Sequence, residues 1–282
     1  MIIELTGVNV LDLNDLELEK YKYSNIESKL SAIRTKNATD ETIQREILAC
    51  NKIIEYSLYL KDALEIIFSK TYIETEKTLN EVNSLIYSLY YRNCCYLISS
   101  YESCLSGFVN TTLLSLRSIS ETTEMIYYLH IKRNDKEAEL FLKKELNELN
   151  TEETQIVKSR LNHFNPSVIR KLLYEKDKIE QIRKGYENLS RIAHPSIKSV
   201  FASYIEDLKV IHDALIGIIF FGISNIIATW EVYHNILNQN KIVKYNFALE
   251  EIIKIFGTPS YDIIPDNPKI VNKLNIRNYG SC

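Results

Sequence analysis

The chain has 282 residues, enough for a large core, and its 45% hydrophobic and 25% charged content suits a packed globular protein. A net charge of −3 excludes a strongly basic nucleic-acid binder that works mainly by phosphate neutralisation, while leaving room for a local basic patch. Five cysteines without a CxxC pair, and no signal-peptide pattern at the start, are expected of a cytoplasmic protein rather than a disulfide framework.

Only 7 Gly and 5 Pro occur, and after a lone Pro166 the prolines fall at 195, 259, 265 and 268, so the elements of the first 160 residues must be long. Helices meet that demand better than strands, which average about 5–6 residues. Residues 1–11 are apolar, a short strand or docked arm, and a polar helix follows to about Lys36. Thr39, Asp40 and Glu41 look like a helix start. Ile43, Ile47, Cys50, Ile54 and Leu58 then share one face of a helix that ends near Lys70. A second long helix is expected from about Glu74, with Gly107 marking a break, and a third carries Leu113, Leu116, Ile119, Ile126 and Leu129 to near His130. Residues 132–153 are strongly charged and read as a solvated helix or connector. Helices at about 153–163, 167–175 and 176–193 follow, then one over 198–238 and a smaller one at 246–256. The stretch from Ala214 to Trp230 carries no charge, yet it is shorter than the roughly 20 apolar residues of a membrane span and contains Ser224, Asn225 and Thr229. It reads as a buried central helix, with a membrane role the minor alternative. The expected fold is all-α: an antiparallel helical bundle with a central apolar helix. Residues 1–38 form an arm and polar helix, 39–256 the bundle domain, and 257–282 an extended tail.

Two places break the apolar pattern. In residues 113–129, Arg117 and Glu121 lie four apart on one helix face, near Met125 and Tyr128. In the segment from Leu189 to Ser196, Pro195 disfavours helical geometry at His194 and suits the first turn of a following helix. His194 is thus expected at a helix-to-helix corner, near a positive helix end that favours a neutral imidazole, the state a general base requires. The plainer alternatives are a paired charge that serves packing and a histidine that caps a helix. Residues 168–200 hold eight Lys or Arg against four acids, a surplus that could meet a phosphate backbone or simply form a wet helix face.

The Arg-Ser-x-x-Glu helix and the Leu-Ser-x-x-x-His-Pro-Ser corner resemble uncharacterised prokaryotic helical proteins related to HEPN (higher eukaryotes and prokaryotes nucleotide-binding) domains. The likeness covers about residues 80–235. It implies a helical bundle, often dimeric, from toxin–antitoxin, abortive-infection or CRISPR-linked systems, many of whose members are metal-independent ribonucleases. On that basis His194 is the base for a 2′-hydroxyl, Arg191 or Arg117 the cation for the developing phosphorane, and Glu121 the orienting carboxylate. The nuclease members place several more residues between their Arg and His than the two that separate Arg191 from His194. A non-catalytic helical interaction or scaffold module therefore stands as the alternative.

No cofactor or metal is expected. Glu231 and His234 form the Glu-x-x-His of di-iron bundles without the second such pair those sites need. His212 and Asp213 should diverge on a helix, and His130 and His163 sit near helix ends where cations are favoured. No dinucleotide or P-loop glycine motif occurs.

Overall fold

The computed structural model describes residues 23–75, 80–145, 148, 150–154, 164–193, 208–242 and 265–270, of which 23–26, 72–75, 145 and 185–193 are described for the backbone alone. Among these residues every regular element is helical, as the sparse breakers require. In chain order they are α1 (Tyr23–Ala38), α2 (Gln44–Thr75), α3 (Glu81–Leu105), α4 (Val109–Lys132), α5 (Asp135–Glu145), α6 (Pro166–Leu173), α7 (Lys176–Ala193) and α8 (Leu208–Gln239). The arm at 1–11, most of the helix expected at 153–163, residues 198–207 and the helix at 246–256 lie outside the described residues.

Local chemistry sets the boundaries. Asp40 accepts from the Thr42 backbone N–H at 2.9 Å and leads through a 3-10 turn, Glu41–Ile43, into α2. Helix α3 begins at Glu81 rather than near Glu74, because the Asn80 side chain takes the Asn83 N–H at 2.9 Å and fixes the cap there. Gly107, at φ 82°, reverses the chain between α3 and α4, a conformation that only glycine adopts without cost. Asn165 caps α6, with Pro166 in its first turn.

Helix α8 is the core. It packs against α2, α3 and α4. It runs antiparallel to α3, since Ile211 meets Cys104 and Asn225 meets Asn93, while Leu215 meets Cys50 and Gly222 meets Ile53 in the same chain direction as α2. Gly222 is required by proximity: a Cβ there would collide with Ile53 and stand 3.3 Å from Leu97 Cδ2. By length and composition alone α8 could cross a membrane, but 61% of its most apolar window is buried by neighbouring helices, as expected of a core helix. Trp230, Tyr233, Ile218, Leu215 and Ile227 have at most 1% of their surface exposed.

Two expectations need amending. Helix α5 is charged but not merely solvated: Ala138 is buried and Phe141 stacks against Phe164, their ring centroids 4.8 Å apart. Residues 265–270 are not a free tail. Asn267 donates from its backbone to Leu173 O and from Nδ2 to Leu172 O, while Asp266 accepts from the Glu175 N–H at 2.9 Å. This segment closes the last turn of α6 and caps the first turn of α7, with Ile270 buried beside it.

Candidate functional site

Helix α4 brings three charged side chains into one row. Arg117, Glu121 and Glu124 are spaced by four and three residues, so they follow one another along a single helix face. Arg117 Nε donates to Glu121 Oε1 at 3.2 Å, and each side chain keeps about a quarter of its surface in solvent (26% and 29%). One turn on, Glu124 turns inward. Its side chain is 1% exposed, and both carboxylate oxygens lie 2.9 Å from Nε of Arg170 on α6.

Burial pushes the Glu124 carboxyl up to about 7, against the opposing pull of the Arg170 hydrogen bond and charge, and the nearby Glu121 carboxylate pushes the same way. Tyr174, enclosed beside this pair, has its phenol raised well above the ordinary value by burial and then by the Glu124 charge. On the opposite flank of α4, Arg92 Nη2 of α3 donates to Thr122 Oγ1 at 2.5 Å. Helices α6 and α7 both pack on α4, and Arg170 of α6 covers the Glu124 end of the row.

The sequence-derived residues separate as follows. Arg117 and Glu121 meet, as their spacing requires. Arg191 belongs to the last turn of α7, and its side chain is not among the described ones. His194 and Pro195 lie outside the described residues, one and two positions beyond the end of α7. Arg170, which the sequence groups with a basic run on a wet helix face, is instead buried and spent on Glu124. Sequence reasoning finds Arg117 and Glu121 but misses Glu124, three residues further along the same face, and nothing local marks Arg170 as its partner 46 residues away.

The histidines also differ from expectation. His130 is near the end of α4, yet burial and then the Arg133 charge lower its pKa to about 4, so it is neutral, and Arg133 Nη2 donates to its Nδ1 at 2.9 Å. His212 and Asp213 do not diverge: Nδ1 lies 3.4 Å from Asp213 Oδ1, and Nε2 is 3.3 Å from Glu46 Oε1. Cys50, Cys94 and Cys104 are buried free thiols whose pKa values burial raises, the opposite of what a nucleophilic thiolate needs. Among the described residues no group of three or more His, Cys, Asp or Glu side chains is placed to hold a metal ion.

Chemically, the two pairs that meet along α4 do different things. Glu124 is sealed from solvent and cannot touch a substrate, whereas the Arg117 guanidinium is accessible enough to trade Glu121 for a phosphate oxygen. No family model matches the chain, and no curated protein or solved structure matches it either.

Proposed function

We propose that this protein is an HEPN-like component of a bacterial conflict system, in antiphage defence or a toxin–antitoxin pair, that acts on RNA in the cytoplasm. The observation that supports it is the half-open Arg117–Glu121 pair on the helix that α7 covers, with α7 ending one residue before His194. In this reading Glu121 holds the Arg117 guanidinium ready for a phosphate, and His194 removes the 2′-hydroxyl proton. Arg191 or Arg117 stabilises the charge that builds on the phosphorane, without a metal ion.

The test is expression of the full chain in a bacterial host, followed by growth and total-RNA integrity, and purified protein with RNA in chelator. Growth arrest and cleavage leaving 2′,3′-cyclic phosphate ends are expected, and His194→Ala and Arg117→Ala should each reduce cleavage by about a hundredfold or more. Cleavage that survives His194→Ala, or that requires added metal, sinks the catalytic assignment.

The second reading is a non-catalytic interaction module. It is favoured by the polar pairs that are sealed in packing contacts: Glu124 with Arg170, and Asn93 Nδ2 with Asn225 Oδ1 at 2.8 Å between α3 and α8. Buried polar pairs of this kind fix register between helices. Under this reading wild-type protein neither cleaves nor binds RNA.

A further inference from the structure

The outward face of α2 is patterned for a partner. Its exposed residues recur at Leu48, Lys52, Glu55, Tyr59, Asp62 and Ile66, alternating steps of four and three, which is the seam spacing of a two-stranded coiled coil. The side turned to α3 and α8 is elsewhere: Ile53, Leu60 and Leu64 are buried in the core. Leu48 is 58% exposed and Ile66 68%, high values for two aliphatic side chains on one stripe. Single exposed hydrophobics are ordinary on a soluble surface. What sets these apart is their arrangement.

The stripe is complementary to itself when reversed about Ser57. In an antiparallel pair of α2 helices, Leu48 faces Ile66 of the second copy, Lys52 faces Asp62, and Glu55 faces Tyr59. Each layer pairs one seam position of the first kind with one of the other, as antiparallel packing demands, and the layers occur twice by symmetry. Apolar layers close both ends, and opposite charges sit between them. The seam runs 18 residue steps from Leu48 to Ile66, or about 27 Å at the helical rise of about 1.5 Å. Within the chain Lys52 contacts Glu55 at 3.3 Å and Asp62 contacts Lys61 at 2.8 Å. The first is an exposed pair of the kind that contributes little and exchanges partners readily; in the second only Asp62 is exposed, and Lys61 keeps Glu65 at 3.4 Å when Asp62 turns away.

We propose that α2 is a homodimerisation surface whose occupant is α2 of a second copy of this chain, antiparallel and in the register that sets Leu48 against Ile66 and Lys52 against Asp62. It uses none of the residues assigned to RNA, so the two can fail independently.

Sedimentation velocity on the full chain over a concentration series tests it. A monomer–dimer equilibrium is expected, with Ile66→Glu weakening the dimer roughly ten- to a hundredfold. Lys52→Glu alone and Asp62→Lys alone should each weaken it, because each sets like charges face to face. The double variant restores opposite charges in both 52–62 layers and should return the dissociation constant to within about threefold of wild type. All these positions are exposed, and unchanged helical circular dichroism verifies that the variants fold. A chain monomeric throughout, a dimer indifferent to Ile66→Glu, or a double variant no better than the singles each overturns the proposal.

Discussion

Helix α4 takes part in two Arg–Glu pairs one turn apart, one within itself and one shared with α6, and they represent opposite uses of the same groups. Arg117 and Glu121 belong to one helix and keep about a quarter of each side chain in water. Glu124 and Arg170 come from helices 46 residues apart in sequence and are enclosed between α4 and α6. In high dielectric such a local pair contributes about 0.3–0.5 kcal/mol. In the enclosed pair Arg170 and, above about pH 7, the ionised Glu124 have given up hydration, and each charge depends on the other to offset that cost. Accessibility, not composition, decides which pair is available to a ligand and which determines how the helices pack.

The sharpest way to break this comparison is to orphan the buried carboxylate. Above about pH 7, where Glu124 is ionised, Arg170→Ala should cost about 3–5 kcal/mol in urea unfolding, since it leaves that carboxylate uncompensated in a sealed site. Replacing both partners, as Glu124→Leu with Arg170→Met, should recover most of that loss. If Arg170→Ala unfolds within about 1 kcal/mol of wild type, the pair is not enclosed in solution and the contrast with Arg117–Glu121 disappears.

A second, smaller effect is a pH dependence with a concealed partner. Glu124 has its pKa raised from 4.5 to about 7, so in the folded state it holds a proton that the unfolded chain releases. Its contribution is fully present below about 4.5 and is lost as pH rises through about 7, with a slope of at most about 1.4 kcal/mol per pH unit. His130 does the reverse. Its pKa falls from 6.5 to about 4, so the folded state refuses a proton the unfolded chain would bind, and stability is lost as pH falls below about 6.5. The two slopes oppose one another between about 4.5 and 6.5. Glu124→Gln should therefore expose a stability that climbs with pH across that window, and His130→Gln one that declines. Unfolding free energies in buffers from pH 4.5 to 7 would show this, and parallel profiles for all three proteins would refute the Glu124 assignment.

How much of this was legible in the sequence follows from the range of each interaction. Arg117–Glu121 is an i,i+4 pair and needs only a helix, which the apolar period of 113–129 supplied. The uncharged run from Ala214 to Trp230 likewise announced a helix surrounded on all sides, and α8 packs against three others. Arg170 was misread because its immediate neighbours, Lys171 and Lys176, are exposed cations. Only the fold reveals that Arg170, at the buried edge of α6, meets a carboxylate from α4. The start of α3 failed for a different reason: hydrophobic period continued back toward Glu74, and the Asn80 cap overrode it. Capping by Asp266 and Asn267 was invisible because their partners are backbone groups about 90 residues away.

The smallest expected effect separates function from stability at Arg117. A double-mutant cycle over Arg117→Ala and Glu121→Ala should return a coupling of about 0.5 kcal/mol or less, because the pair is partly solvated and salt screens it. That small value matters for what it permits. A guanidinium bound to its neighbour by so little can be recruited by a phosphate at slight cost, whereas Arg170 would have to abandon a buried carboxylate to do the same. Arg117→Lys then divides the two uses: it preserves charge and nearly all stability but removes the planar fork that grips phosphate oxygens. Loss of RNA cleavage in Arg117→Lys, with an unfolding midpoint like that of wild type, would assign the exposed pair to ligand. A coupling above about 2 kcal/mol would instead place Arg117 in the same structural class as Arg170, and the distinction along α4 would fail.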